Sequence, residues 1–398
     1  MYAYLKKSKQ SLDVLPPAIA ALMTVIVNYG GTFVLVFQAA KMANLSPELT
    51  VSWVWASSIG VGLTCIFLSW RTREPIITAW STPAAAFLII ALPTISYAEA
   101  IGAYLVSAAL FIMLGLSGYF EKVIRLIPPG IAAGLLAGIL LQFGIGAFAV
   151  INVEPFLVVL MVLSYLVLRR SAGRYAVAGM MIAGLIWLLL QKRLDLSSIE
   201  LIVATPVFTT PVFSWNALLS IALPLFLITL TGQYIPGMLV LRNDGYKTSA
   251  SPILTFTGLG SLLFAPFGSH AINIAAITAA ICTGKEAHQD PTKRWIAGVI
   301  AGVLYILVGI FGVTLATLFM AFPTAFITAL AGIALIGTIS SSLTAAISDS
   351  ASREASLITF LASASNITLF DIGGAFWGLL IGLAAYALLS TNFSMKTK

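Results

Sequence analysis

Charged residues are scarce in this chain. They make up only 9% of the 398 residues, whereas 60% of the residues are hydrophobic and the mean hydropathy is +1.02. This composition excludes a soluble enzyme and indicates a polytopic membrane protein embedded in the lipid bilayer. At about 25 to 28 residues for one span and its loop, the length allows about fourteen crossings. We therefore predict an all-α membrane fold.

Cysteine and histidine are equally rare, with two residues of each type. Cys65 and Cys282 both lie in apolar segments, so no disulfide framework is expected. The sequence also lacks the P-loop motif of nucleotide-binding proteins, the H-E-x-x-H motif of zinc proteases and the G-x-S-x-G motif of hydrolases. We therefore expect neither a metal site nor a cofactor, and an enzyme is disfavoured.

Basic residues are almost absent from one side of the predicted membrane. When the polar breaks are taken in order and the sides alternate, 18 of the 21 Lys and Arg residues fall on one side, and only Lys41, Lys192 and Arg193 fall on the other. Positive charge marks the cytoplasmic side of a membrane protein. The net charge of +7 is thus a topology signal rather than a sign of nucleic-acid binding, and both termini are predicted to be cytoplasmic.

The stretch over residues 74–93 predicts an extended chain followed by a half-helix. Pro75 and the Ile-Ile-Thr run favour an extended conformation at its start. Ser81 or Thr82 can then cap a helix whose first position is Pro83. About ten residues at about 1.5 Å each cross half of a hydrocarbon core of about 30 Å, so this helix starts at mid-membrane.

A second copy of this design is predicted at residues 264–284. The Ala-Pro-Phe-Gly sequence breaks the chain, Ser269 is the expected cap, and a short helix runs from His270 to Thr283 before Gly284. A short strand is expected before each half-helix. Two discontinuous helices in corresponding places are typical of the binding site of a transporter.

Internal repetition indicates two related halves. At a shift of 194 residues, the window 103–141 lies ungapped over 297–335 with 11 of 39 positions identical, paired glycines and a proline among them. Seven spans per half is an odd number, so the second half must enter the membrane in the opposite orientation. We predict a first repeat at 1–190, an extended extracellular connection at 191–215, and a second, inverted repeat at 216–398. The N-termini of the two half-helices then face each other.

Facing helix N-termini are predicted to form an anion site. Their dipoles supply about one positive charge together with unpaired N–H donors, which suits a monovalent carboxylate without a buried Lys or Arg. No acidic residue falls at the centre of a predicted span, which disfavours a nucleobase as the substrate. The candidate substrate-binding residues are Asn28, Tyr29, Trp80, Ser81, Thr82, Gln233, Tyr234, Phe267, Ser269, His270 and Asn273.

Several of these residues have a second interpretation. Asn28 and Gln233 can instead form hydrogen bonds between helices, and the aromatic residues can be packing or lipid-facing side chains. Ser81 and Thr82 can serve as caps only. His270 is the candidate proton carrier. The dipole that attracts an anion disfavours imidazolium at this position, however, so a neutral hydrogen-bonding role is also open.

Five segments carry a family resemblance: Pro-Ile-Ile-Thr-Ala-Trp-Ser-Thr-Pro-Ala-Ala-Ala at 75–86, Ala-Gly-Ile-Leu-Leu-Gln-Phe-Gly at 137–144, Phe-Ala-Pro-Phe-Gly at 264–268, Ala-Ala-Ile-Thr-Ala-Ala-Ile-Cys at 275–282 and Gly-Gly-Ala-Phe-Trp-Gly at 373–378. Together they resemble the benzoate/proton symporters of bacterial inner membranes over nearly the whole chain. The resemblance implies the seven-plus-seven inverted-repeat fold of uracil permeases and sulfate-type anion transporters. In that fold, spans 1–4 and 8–11 form a core, and spans 5–7 and 12–14 form a gate.

The resemblance also implies uptake of benzoate or a similar aromatic carboxylate together with a proton. The preferred hypothesis is a secondary symporter that works by alternating access. A carrier of another small anion or of a nucleobase, and an uncoupled anion channel, are the alternatives. The sequence leaves the oligomeric state open, a homodimer included.

Overall fold

The computed structural model describes residues 2–120, 122, 128–171, 176–194, 202–275, 278–285, 287–314, 321–348, 350, 352–365, 367, 369 and 374–390. These residues are mostly helical. Eight of the helices described are long and apolar enough to cross a membrane, and three further apolar helices have 10–17 residues. The chain is therefore a multi-pass membrane protein, as its composition predicts. The C-terminal residues 391–398, which are predicted to be cytoplasmic, lie outside the described residues.

The described residues of the first half form eight α-helices and one strand. They are α1 (Tyr2–Gly31), α2 (Val34–Met42), α3 (Pro47–Thr72), β1 (Thr78–Trp80), α4 (Thr82–Ala91), α5 (Tyr97–Ser117), α6 (Pro129–Ala149), α7 (Pro155–Ser171) and α8 (Ala176–Leu190). The first span comprises both α1 and α2, which are separated by a break at Thr32 and Phe33. At this break the carbonyl of Asn28 accepts the backbone N–H groups of both residues, at 3.0 and 3.2 Å.

In the second half, the part of the chain that the structure describes forms seven α-helices and one strand. They are α9 (Trp215–Arg242), α10 (Ala250–Phe264), β2 (Ile272–Ile274), α11 (Ala279–Thr283), α12 (Trp295–Ile310), α13 (Thr324–Ser348), α14 (Arg353–Ala364) and α15 (Gly374–Ser390). Helix α9 includes two π-helical turns, at Leu218–Ala222 and Leu230–Tyr234. Such turns occur often at functional sites.

Corresponding elements of the two halves lie 194 residues apart, the same shift at which the sequence repeats. Strand β2 begins at Ile272, 194 residues after β1 begins at Thr78. Helix α6 begins at Pro129, and the equivalent Pro323 directly precedes α13. The repetition in sequence is thus also a repetition of structural elements.

The two strands pair with each other in the interior of the protein. They are antiparallel, and Ala79 lies opposite Asn273 in the ladder. The ladder continues beyond the strands, because Ser81 N–H donates to the Ala271 carbonyl (3.2 Å) and Ala275 N–H donates to the Ile77 carbonyl (2.8 Å). Backbone polar groups at membrane depth need such partners where the chain is not helical. The ladder therefore allows both half-spans to begin inside the protein.

The predicted start of the second half-helix is wrong. Residues 269–274 are extended, and β2 occupies the positions where the sequence predicts the first turn of the helix. Ser269 does not cap a helix, and His270 precedes the strand. The helix described here is α11, and residues 276–277 before it lie outside the described part of the chain. Pairing with β1 outweighs the local cap signal, because Ile272 and Ile274 are β-branched and fit a buried strand.

The helices pack in two groups. In one group α3 packs on α12, α10 packs on α5, and α2 packs on α4. In the other group α6 packs on both α13 and α14, α14 packs on α15, and α7 packs on α8. Glycines allow the closest crossings: a Cβ built on Gly62 of α3 would lie 2.6 Å from the carbonyl oxygen of Gly302 in α12. Small residues at such crossings are typical of membrane helix packing.

Candidate functional site

The N-terminus of α4 is the first element of the site. This is the short helix predicted between Pro83 and Pro93, and it runs over Thr82–Ala91. Ser81 has extended backbone angles, and its hydroxyl accepts the N–H of Ala84 at 3.3 Å, so Ser81 is the N-cap. Proline in the first turn lacks an N–H that would otherwise be left without a partner.

Every polar group of Ser81 has a partner. Its hydroxyl also accepts a hydrogen bond from the Thr229 hydroxyl of α9 at 2.8 Å, and its carbonyl accepts the N–H of Ala85 at 2.8 Å. In the amide orientation that satisfies both of its ends, the Asn273 side chain accepts from Ser81 N–H and donates to the Ile274 carbonyl, each at 2.9 Å. Ser81 is fully buried, so these contacts fix the position at which α4 begins.

His270 also contacts Ser81, although it does not begin a helix. Its Nε2 lies 3.1 Å from the Ser81 carbonyl oxygen, and Trp53 of α3 donates its indole N–H to His270 Nδ1 at 3.1 Å. The His270 side chain is buried. Both ring nitrogens are therefore already engaged in hydrogen bonds within the protein.

Helix α9 brings an uncommitted polar group to the same place. Gly232 lies against α4, since a Cβ built there would be 3.0 Å from Pro83 Cγ. Gln233 follows in the same π-helical turn and lies four residues after Thr229, which contacts Ser81. No partner within the described residues forms a hydrogen bond with the Gln233 amide. Thr82 on the facing α4 terminus is only partly buried.

Aromatic rings pack beside this terminus. The Trp80 ring lies 4.4 Å from the Phe33 ring and 5.1 Å from the Tyr29 ring, between centroids, and the Tyr305 ring lies 6.0 Å away. Trp80 also donates its indole N–H to the Thr32 hydroxyl at the break between α1 and α2 (3.1 Å). The break in the first span, the end of β1 and the start of α4 therefore meet at one cluster.

The polar side chains of α1 take part in contacts between helices. The Asn28 amide donates to the Tyr305 hydroxyl of α12, and the Tyr29 hydroxyl donates to Ser58 of α3 at 2.6 Å. The Ser58 hydroxyl in turn donates to the Val54 carbonyl at 2.6 Å. Asn28 thus has the helix-to-helix role that the sequence left open, whereas Tyr29 has one polar contact and still presents its ring to Trp80.

Three of the predicted site residues are joined to the α4 terminus by no hydrogen bond or ring contact within the described residues. Tyr234 points toward α10, where its hydroxyl lies 2.7 Å from the Thr257 hydroxyl. Phe267 joins a separate aromatic cluster and lies 5.7 Å from both the Trp55 and Phe208 rings, between centroids. Ser269 is buried, and its hydroxyl has no hydrogen-bond partner in the described structure.

Four residues that contact Ser81, His270 or Trp80 were not predicted from the sequence. They are Trp53, Phe33, Thr229 and Tyr305. The spacing of Thr229 and Gln233, four residues apart on one helix, was an available signal, because such residues share a face. The contact of Trp53 with His270 joins residues 217 positions apart and left no local pattern.

The described part of the chain carries little charge in its interior. Among its Lys, Arg, Asp and Glu residues only Arg294 is buried, and this side chain donates to the Thr283 carbonyl at the C-terminal end of α11 (2.7 Å). No group of His, Cys, Asp and Glu side chains suited to a metal ion occurs among the described residues. The electropositive feature of the site is thus the α4 terminus itself.

The chain is similar to known membrane proteins over nearly its whole length. The profile of the family described as "Benzoate membrane transport protein" matches residues 13–388. The benzoate membrane transport protein of Acinetobacter baylyi is 41% identical over 389 residues, which cover 98% of each chain. Inner membrane protein YdcO of Escherichia coli is 39% identical over 375 residues, which cover 94% of this chain and 96% of the relative.

Solved structures share the fold at low sequence identity. The anion transporter SLC26A9 superposes with a TM-score of 0.64 at 15% identity, over 98% of this chain and 67% of the other. The transmembrane domain of the cyanobacterial bicarbonate transporter BicA superposes with a TM-score of 0.60 at 16% identity, over 94% and 97% of the two chains. At such identities the likeness establishes the fold alone.

Proposed function

Because the chain belongs to the benzoate membrane transport protein family, we propose that it carries benzoate or a similar aromatic carboxylate across the bacterial inner membrane together with a proton. Membership of this family makes the chain a membrane transporter rather than an enzyme. The substrate, its coupling and the residues that bind it are our proposals.

The carboxylate binds at the N-terminus of α4. Two observations support this proposal: Ser81 caps the start of a half-helix, and Gln233, four residues after the Thr229 that contacts Ser81, has an amide with no hydrogen-bond partner within the described residues. Thr82 supplies a hydroxyl and a backbone N–H, and Gln233 supplies an N–H donor. The helix dipole adds about half a positive charge, so a monovalent anion needs no lysine or arginine here. Ser81 and Asn273 hold the terminus in place.

The ring of the substrate packs against the aromatic cluster of Tyr29, Phe33 and Trp80. Trp80 directly precedes Ser81 in the chain, so the ring and carboxylate subsites adjoin. Aromatic pairs with tilted or edge-to-face geometry contribute about 0.5–1.5 kcal/mol beyond the burial of their area. This cluster favours a flat aromatic acid over an inorganic anion of the same charge.

Transport follows from two inverted repeats of seven spans. This proposal is supported by the described helices, which group into seven segments before and seven after the connection when α1 and α2 count as one span, and by corresponding elements that lie 194 residues apart. The group that contains α3, α4, α10 and α12 serves as the core, and the group that contains α6, α7, α13, α14 and α15 serves as the gate. Movement of the core against the gate exposes the site alternately to the two sides. Both termini lie in the cytoplasm.

The proton travels on the substrate carboxyl group. His270, the candidate proton carrier, has Trp53 and the Ser81 carbonyl on its two ring nitrogens, which leaves no free nitrogen to accept a proton. Protonation of the bound benzoate on the outer side, and loss of this proton on the inner side, require no ionisable side chain at the site. Replacement of His270 with Gln is expected to leave uptake against a gradient intact.

Uptake of labelled benzoate into proteoliposomes tests the proposed function. With an imposed gradient that is acidic outside, we expect accumulation above the equilibrium level, and without the gradient only equilibration. Uptake without accumulation in either case, at rates far above those of a carrier, would indicate an uncoupled channel. Competition by unlabelled benzoate, bicarbonate, sulfate and uracil identifies the cargo, and stronger competition by any of the last three would overturn benzoate.

A further inference from the structure

His270 lies between two groups, each of which can take only one role in a hydrogen bond, as donor or as acceptor. The Trp53 indole nitrogen is 3.1 Å from His270 Nδ1, and the Ser81 carbonyl oxygen is 3.1 Å from His270 Nε2. The Trp53 and His270 rings meet edge to face, with centroids 5.6 Å apart at 73°. All three residues are buried, so solvent offers no alternative partner to any of them.

These partners determine which nitrogen carries the proton. An indole N–H only donates and a carbonyl oxygen only accepts, so Nδ1 must be the acceptor and Nε2 must carry the hydrogen. This is the neutral imidazole. A second proton, on Nδ1, would oppose the Trp53 N–H across the same 3.1 Å.

We propose that Trp53 is a positioning residue for anion binding, acting through His270. Its indole N–H holds His270 as the neutral Nε2–H tautomer, and that tautomer anchors the Ser81 carbonyl where β1 ends and α4 begins. The charge beside the carboxylate site then does not change with pH. This inference rests on the proposed function only for the identity of the anion.

The surroundings of His270 contain few groups that titrate. Tyr104 of α5 faces its ring at 6.5 Å between centroids, and Tyr97 of the same helix faces Trp53 at 6.5 Å. The start of α4 faces the imidazole with the Ser81 carbonyl. Tyrosine hydroxyls ordinarily titrate at about pH 10, so neither of these two neighbours changes its charge near neutral pH.

Nitrogen-15 NMR of the histidine rings tests the tautomer directly. His288→Asn leaves His270 as the single histidine, and the labelled chain is examined in lipid nanodiscs. We expect two separate ring-nitrogen signals, one protonated and one not, unchanged between about pH 8 and about pH 5. Signals that merge or move toward imidazolium over this range would overturn the proposal. This readout does not depend on transport, so it stands even if benzoate is not the substrate.

The Trp53→Phe variant tests the positioning role. It keeps an aromatic ring but frees Nδ1, so His270 becomes able to take up a proton. The KM for benzoate is then expected to fall about five-fold between about pH 8 and about pH 5, relative to wild type, because imidazolium adds positive charge beside the anion. The double variant Trp53→Phe/His270→Gln has no imidazole and should lose this extra pH dependence.

Trp55→Phe is the matched control. Trp55 lies on the same helix but packs against Phe264 and Phe267, away from His270, so its KM should follow the wild-type pH profile. An extra pH dependence that persists in the double variant, or that appears equally in Trp55→Phe, would overturn the role of Trp53. If Trp53→Phe does not fold, the NMR result on the chain with native Trp53 decides the question.

Discussion

The Ser81 hydroxyl has two partners, since it caps α4 and accepts a hydrogen bond from Thr229. Replacing Ser81 with Ala removes the cap, at a cost of about 1 kcal/mol, and leaves the Thr229 hydroxyl without its acceptor. We expect the KM for benzoate to rise about ten-fold, because both losses fall at the proposed carboxylate site. Uptake of labelled benzoate at varied concentrations measures the change.

Ser96→Ala is the control for Ser81→Ala. Ser96 caps α5 in a capping box with Glu99 on the exposed surface, so the same kind of cap is lost at a distance from the site. The KM of this variant should stay within about two-fold of wild type. Equal increases in the two variants would mean that the effect is general destabilisation rather than a change at the binding site.

The amide of Gln233 is the clearest uncommitted donor at the site. Gln233→Leu keeps the size of the side chain and removes the donor, so we expect the KM for benzoate to rise about 10- to 100-fold, the value of a hydrogen bond to a charged group. Gln142→Leu is the control, because the Gln142 amide donates to the Ala364 carbonyl between α6 and α14 (3.0 Å). Unchanged KM in Gln233→Leu would remove Gln233 from the site.

At the scale of the element, the two half-helices differ in how far local sequence determines them. Helix α4 was predictable because Pro83 and Pro93 bound it and Ser81 caps it, all within its own segment. The second half-helix was misplaced because Ser269 and His270 imitate a cap. Its real start depends on pairing with β1, a contact between residues about two hundred positions apart. Moving Thr78–Trp80 by the repeat length of 194 gives Ile272–Ile274 and would have located β2.

The connection between the halves makes contacts that local sequence did not predict. Its described part crosses the ends of several helices, and Ser52 of α3 anchors it. The Ser52 hydroxyl accepts the N–H of Val207 at 2.8 Å and lies 2.9 Å from the Phe267 carbonyl. Ala204 and Val212 donate to the Ile310 and Ala98 carbonyls at 2.8 and 3.0 Å. The connection thus joins α3, α5 and α12 on one side of the membrane.

Ser52→Ala should loosen this connection. The variant removes the acceptor of the half-buried Val207 N–H, at a cost of about 1 kcal/mol, so we expect a lower Tm and faster cleavage between residues 202 and 213 by added protease. Ser69→Ala is the control, since Ser69 donates to the Ile76 carbonyl (3.0 Å) at the other end of the same helix. It should lower Tm without exposing the connection. Equal protease resistance of Ser52→Ala and wild type would contradict the anchor.

At the scale of the whole molecule, some glycines lie at contacts within one helix group and others lie at contacts between the two groups. Gly134 and Gly138 of α6 lie against the backbone of α14, where a Cβ on Gly138 would be 2.5 Å from the Phe360 carbonyl oxygen. Both helices belong to the proposed gate. Gly232 of α9 instead meets Pro83 of the core and Leu136 of α6, at 3.0 and 3.4 Å from a built Cβ. A substitution there acts where core and gate meet.

These two kinds of contact predict different outcomes for the same substitution. Gly138→Ala forces two backbones apart within the proposed gate, which should cost about 1–3 kcal/mol and lower Tm.

Gly232→Ala meets only side chains, so its Tm should change little, but the added methyl group disfavours the arrangement in which Leu136 approaches α9. Because the proposed alternating access requires each arrangement in turn, we expect kcat for benzoate uptake to fall about ten-fold while binding is retained. Thermal unfolding and uptake rates, measured on both variants, separate the two effects. A Gly232→Ala protein with wild-type kcat would show that core and gate do not move against each other at this contact.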